Sequence, residues 1–185
     1  MTDHLRTFRK LAQANRLANA RLHRALAQLS TEELTARRPA FFGNIQATLN
    51  HILLVDRFYL NALQGHRLNR PAIEEARACP DLPTLTRWQE TEDMALLAHV
   101  QGLPSDALAE IVDVDRGKKV QRDRRDDLLS HVFQHQTHHR GQVHGMLSAT
   151  SVKPPQLDEF IVGDDFAARA EDMAALGWTE ADLMR

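Results

Sequence analysis

The stretch HVFQHQTHHRGQVHGML, residues 131–147, holds five of the chain's 10 histidines, and the rest of the sequence is read outward from it. It falls within a helix predicted from about Arg124 to Ser148, which Lys153-Pro154-Pro155 brings to an end. His135 and His139 stand four residues apart, and at about 100° per residue a helix returns them to nearly the same face. Two imidazoles so placed can grip one cation. His131 and His135 share that spacing, and His131, His135 and His138 lie on one broad stripe. Spacing therefore marks the helix as a metal-binding candidate and leaves the choice of histidines open.

Upstream, Leu5, Phe8, Leu11, Leu22, Ala25, Leu26 and Leu29 recur at helical spacing over Asp3–Leu29 with no Gly or Pro among them. Ser30-Thr31-Glu32-Glu33 has the spacing of a capping box and opens a short helical turn. Pro39 and Gly43 bracket an irregular approach to a second long helix, Asn44 to Gln64, whose apolar face is Ile45, Leu49, Ile52, Leu53, Val55 and Phe58. Gly65 is its natural stop, and His51 lies near its middle. Residues 66–83, with Pro71, Pro80 and Pro83, read as a long connection, so the helices on either side need not be antiparallel neighbours. A third long helix spans Thr84 to Gln101, carries Leu85, Trp88, Leu96 and Leu97, and ends at Gly102. After Pro104, AEIVDVDRGKKVQRD reads as two short strands about an Asp115-Arg116-Gly117 turn. A short helix from Asp164 to Leu176 completes a single all-α domain over residues 1–185, a four-helix bundle with one β-hairpin before the fourth long helix. Such bundles build metal sites from side chains on facing helices.

Composition narrows the functions. Hydrophobic residues make up 43% and charged residues 26%, the balance of a folded globular chain. Lys and Arg number 23 against 25 Asp and Glu, a net charge of -2 that supplies no global field for nucleic acid or an anionic membrane. Cys79 is the only cysteine, so an intrachain disulfide is excluded and a reducing compartment expected. The polar start MTDHLRTFRK lacks the apolar core of a signal peptide. No stretch approaches the run of about 20 apolar residues that a membrane helix needs. A cytoplasmic setting is the expectation.

The histidine stretch, together with ATLNHILLVDRFYL (47–60), LAQANRLANARL (11–22), PAFFGNIQATLNH (39–51) and PPQLDEFIV (154–162), resembles the damage-inducible DinB family of bacterial bundle proteins. That family is distinct from the DNA polymerase that shares its name. The resemblance implies a DinB/YfiT-like bundle with up-down-down-up connection and a three-histidine divalent-metal site. In the family pattern the first ligand is the His of the LNH segment, here His51. The other two are the first and last His of HQTHH, here His135 and His139. Three neutral imidazoles leave a position for water, the pattern of a catalytic rather than a structural zinc site. Such a set suits Zn2+ or Ni2+ first, and also Cu, Fe or Co.

The resemblance also implies a homodimer and a small-molecule substrate. It points to two reaction classes, a transferase using a low-molecular-weight thiol and a hydrolase. The alternative is a non-catalytic metal-binding stress-response protein.

Several neighbours draw expectations of their own. His138 and Arg140 are offset by about 100° from His139 and so take structural or interface roles. Gln142 and Thr48, each three residues from a proposed ligand, are candidates to hydrogen-bond an imidazole. Asp56, beside Arg57, is read as part of an exposed ion pair, and Tyr59 as packed at the bundle end. Glu92 or Asp93 on the third long helix could supply the general base that the ligands' own neighbourhood lacks. Trp88 and Trp178 read as core or interface groups.

Overall fold

In the computed structural model, which describes residues 3–184, the first long helix α1 (Leu5–Leu26) ends close to where its apolar periodicity does. Ser30 then caps α2 (Thr31–Thr35): its hydroxyl accepts from the Glu33 amide at 3.2 Å, and the Glu33 carboxylate accepts from the Ser30 amide at 3.1 Å. This reciprocal pair satisfies two amides that a helix start would leave unpaired. Asn44 caps α3 (Ile45–Leu63) by accepting from the Ala47 amide at 2.7 Å, so the second long helix starts where its cap and apolar face agree.

The connection after α3, in which the sequence predicts no helix, contains one, α4 (Arg70–Arg77). Pro71 sits in its first turn, where a missing N–H costs nothing, and Asn69 caps it. Proline breaks a helix from within but is tolerated in its first turn, so the same residue signals either an end or a start. The third long helix, α5 (Leu82–Gly102), likewise begins two residues before the expected Thr84, with Pro83 in its first turn and Asp81 as cap.

Strands β1 (Ile111–Asp115) and β2 (Val120–Arg124) form the expected antiparallel hairpin, with Ile111 paired to Arg124 and Asp115 to Val120. Gly117 closes the turn at φ +80°, in the left-handed region that favours glycine. The last long helix, α6 (Arg125–Leu147), carries the histidines. α7 (Phe166–Leu176) and a further short helix, α8 (Glu180–Met184), lie against α1. Arg21 of α1 holds α7 through Asp172 at 2.7 Å and the Ala168 carbonyl at 2.8 Å.

Two apolar clusters give the direction of each long helix. One holds Leu5 and Ala12 of α1, Leu60 and Leu63 of α3, Leu96 and Val100 of α5, and Leu129 and Phe133 of α6. The other holds Leu22 and Leu26, Ile45 and Leu49, Leu82 and Leu85, and Val143 and Leu147. Thus α1 and α6 run from the first cluster to the second, whereas α3 and α5 run from the second to the first. This is the up-down-down-up arrangement, and the parallel pair α3 and α5 requires the long crossover that contains α4. α3 and α1 each pack against both α5 and α6.

A buried polar layer separates the clusters. Each of three helices contributes a pair four residues apart, Asn15 and Asn19, Gln89 and Asp93, Gln136 and Arg140, and α3 contributes Asp56. Asp93 accepts from Asn19 at 2.9 Å, Asn15 at 3.2 Å and Gln89 at 3.1 Å. Asp56 accepts from Gln89 at 2.7 Å and also from Gln136. Arg140 donates to Asn19 and Gln136 at 3.1 Å each, and to Asn15. Asp56 is therefore interior, not part of an exposed ion pair; Arg57 instead pairs with Glu92 at 3.0 Å and Glu75 at 3.1 Å. Burial drives the Asp56 carboxyl well above the usual range, with the nearby Asp93 charge adding to it. It pushes Asp93 up to about 7 and Arg140 down to about 10.

Candidate metal centre

His51 projects from the middle of α3, and His135 and His139 from the same face of α6, one turn apart. Because these two helices pack side by side, the three rings meet. Ring centroids are 4.9 Å apart for His51 and His135, 4.7 Å for His51 and His139, and 4.3 Å for His135 and His139. One nitrogen from each lies within 4.8 Å of the other two. The Nε2 atoms of His51 and His135 face each other at 2.9 Å. Among the described residues no other group of three or more His, Cys, Asp or Glu converges in this way.

The donor set suits a borderline divalent cation. Burial lowers the pKa of His135 to about 3 and of His51 to about 4, and it lowers that of His139 as well. Repulsion among the three rings and from His131 and His138 adds a smaller lowering, and at His139 the Gln142 hydrogen bond works against it. All three rings are then neutral near pH 7 and offer lone pairs, as metal ligation requires. Nδ1 of His139 donates to Oε1 of Gln142 at 2.8 Å, which leaves its Nε2 unprotonated. His135 differs, because its buried Nδ1 has no hydrogen-bond partner. Its ring is held by packing and by the contact at Nε2.

Phe42, from the loop between α2 and α3, lies over the site. Its ring stacks on His51 at 4.3 Å with an interplanar angle of 29°, and it meets His139 at 5.5 Å. Gly43, at φ +78°, closes the turn that places it, and Phe41 beside it is 86% exposed. The sequence reads Phe42, with the other phenylalanines, as a core or interface group, because a loop aromatic carries no periodic signal that would point to the histidines.

The other named residues divide clearly. Gln142 reaches an imidazole, whereas Thr48 donates to the Asn44 carbonyl at 2.8 Å within its own helix. His138 is exposed, with Nε2 at 3.1 Å from the Gln142 amide, and Arg140 points into the polar layer. His131 stands against the Tyr59 ring at 4.9 Å, and His144 reaches the Pro155 carbonyl at 2.9 Å. Tyr59 is packed at the bundle end as expected, its hydroxyl accepting from Arg116 at 2.9 Å. Glu92 is taken by Arg57 and Asp93 by the polar layer, so neither serves the histidines. Trp88 packs against the second apolar cluster under the Arg57 guanidinium, and Trp178 against the first. A cavity of about 710 Å3 between α1, α2 and α5 is lined in part by Arg16, His23 and Thr86 and includes none of the three histidines. No helix among the described residues is long and apolar enough to cross a membrane.

Comparison with curated proteins finds no match. The model of the DinB family matches residues 1–165, a span that takes in the four long helices, the hairpin and all three converging histidines. The chain belongs to the DinB family.

Proposed function

We propose that the protein is a metal-dependent enzyme in which His51, His135 and His139 hold one divalent ion, with Zn2+ or Ni2+ the best matches. The observation that carries this reading is the convergence of three neutral imidazoles on adjacent helices, with no fourth His, Cys, Asp or Glu in the group among the described residues. Three protein ligands leave a coordination position for a reactant, whereas structural sites are closed by four. When bound, the ion would lower the pKa of a coordinated water or thiol toward neutrality. The chain's own residues do the rest. Gln142 fixes the His139 tautomer, and Phe42 screens one face of His51 from water.

Among the described residues no carboxylate joins the three converging rings as a candidate general base. That favours transfer from a low-molecular-weight thiol, which needs only deprotonation on binding, over hydrolysis. The family resemblance supports a homodimer and a small-molecule substrate as parts of the same reading, and the single cysteine supports a reducing, cytoplasmic setting.

Metal analysis of protein purified without an affinity metal, alongside His135→Ala, tests the site. About one divalent ion per chain is expected in the parent and a marked loss in the variant. Equal metal content in both would overturn the ligand set. Chelation then separates catalysis from a structural role. The enzyme reading expects the helical signal to persist while turnover in a panel of thiols and electrophiles disappears. An apo form that unfolds, with no turnover by the loaded protein, would favour a non-catalytic metal module.

A further inference from the structure

The hairpin tip carries a concentration of positive charge that the metal centre does not use. Arg116, Lys118 and Lys119 are exposed in the turn between β1 and β2. The guanidinium of Arg70, from the start of α4, occupies the space beside Gly117 where any larger residue would place its Cβ. Among the described residues none of these four cations has a carboxylate partner within 4.0 Å. In a chain of net charge -2 that local excess is not a compositional accident of a basic protein.

Arg116 is also held in place. Its guanidinium carbon lies 4.8 Å from the centre of the Phe58 ring and 5.5 Å from that of Tyr59. Nη2 donates to the Tyr59 hydroxyl at 2.9 Å, and Nε donates to Oε1 of Gln121 at 3.2 Å. Five N–H donors make up a guanidinium, so Arg116 keeps donors in hand. The Tyr59 hydroxyl, accepting from Arg116, keeps its own proton to give. A fixed, unpaired guanidinium beside a free phenol proton matches the geometry of a phosphate or carboxylate.

The tip is joined to the histidines by a line of rings. Tyr59 meets His131 at 4.9 Å, and His131 meets His135 at 6.1 Å. Phe58 follows His51 by seven residues on α3, two turns on and near the same face, roughly 10 Å along the axis. The geometry points to a recognition site for the anionic end of a small molecule, formed by Arg116, Arg70, Lys118, Lys119 and Tyr59, at one end of the seam between α3 and α6. The substrate of the metal centre is then an elongated anion, a phosphate or carboxylate on a chain that reaches the three histidines. This second statement rests on the metal-enzyme reading above. A nucleic acid suits the site less well, since Arg116 covers the faces of Phe58 and Tyr59 and the hairpin also carries Asp113, Asp115 and Asp123.

The anion site is tested without metal, by titrating pyrophosphate into chelator-treated protein and into His135→Ala while following backbone amide resonances. Saturable shifts confined to residues 115–119 and 70 are expected. Arg116→Gln should weaken them at least tenfold, and Lys153→Gln, an equal charge change elsewhere, should not. Shifts spread over the surface, equal behaviour of Arg116→Gln, or tighter capture of a single-stranded oligonucleotide than of pyrophosphate would overturn the site.

Its link to the metal is tested on zinc-loaded protein with two probes, suberic acid monohydroxamate and octanohydroxamate. They share a chelating head and chain length and differ in the terminal carboxylate. The acid should bind about tenfold tighter to the parent and lose that preference in Arg116→Gln, with zinc content unchanged. Equal binding of the two probes to the parent would overturn the substrate assignment. Failure of both to bind, with no zinc retained, would instead remove the metal reading and with it the link, while the pyrophosphate result decides the anion site by itself.

Discussion

Nδ1 of His139 lies 2.8 Å from Oε1 of Gln142, three residues further along α6, and the Gln142 amide in turn meets Nε2 of His138 at 3.1 Å. The glutamine oxygen can only accept, so it holds the proton on Nδ1 and frees Nε2 for a metal. Gln142→Leu should therefore leave the fold intact while lowering metal affinity roughly 10–100-fold, as read by competition with a chromophoric chelator. Gln142→Glu, which keeps the acceptor, should restore most of the loss. Parent-like affinity in the leucine variant would show that packing alone orients His139.

Phe42 against His51 suggests a second measurement. Phe42→Ala removes the ring stacked at 4.3 Å and opens one face of the imidazole to water. Acylation of His51 by diethyl pyrocarbonate in metal-free protein, mapped by peptide mass, should speed several-fold. Acylation of the exposed His138 should change little and serves as the internal reference.

The polar layer carries a stability prediction. Arg140 is buried and donates to Asn15, Asn19 and Gln136. Replacing it with methionine leaves those oxygens without a donor and removes the positive charge that offsets the buried Asp56 and Asp93, a loss of about 3–5 kcal/mol for one partner of a buried charged network. Urea unfolding measures it. A cost below about 1 kcal/mol, the range of an exposed pair, would mean that the layer is hydrated.

His23 sets a pH dependence away from the metal. It is buried in α1 with Nδ1 at 2.8 Å from the Thr86 hydroxyl oxygen, and burial followed by Arg16 repulsion lowers its pKa to about 4 from 6.5. The unfolded chain therefore binds the proton first as pH falls. The stabilisation is present in full above pH 6.5 and is lost as pH drops through about 4. It amounts to about 3 kcal/mol at 1.36 kcal/mol per pKa unit. His23→Gln, unable to titrate, should show a flatter fall in unfolding free energy between pH 7 and pH 4. Parallel profiles for parent and variant would place the dependence elsewhere.

What could be read from sequence was what depends on neighbours along the chain. The four long helices follow from the period of their apolar residues, α2 from the spacing of Ser30 and Glu33, and the hairpin from a turn with Gly117 at its tip. The pairing of His135 and His139 is likewise local, since one turn of one helix places both. Errors arose where a local signal has two meanings. Pro71 and Pro83 break a chain and also begin a helix, and Asp56 beside Arg57 looks like a surface pair when only Arg57 reaches the surface. The polar layer had left a trace in the i, i+4 spacing of Asn15 and Asn19, Gln89 and Asp93, and Gln136 and Arg140, but helical surfaces show the same spacing.

Spacing alone left the choice of histidines open; the family resemblance implies His51, His135 and His139, and the tertiary structure brings those three together. His131 has the same spacing to His135 as His139 has, and it is drawn instead to Tyr59. His51 stands 84 residues from His135 and comes to 2.9 Å of it because α3 and α6 pack side by side. That packing is fixed by apolar clusters at both ends of the bundle and by a polar layer between them that aligns only in one register. A contact between distant residues is the sum of many such burials, and no window of the sequence contains it.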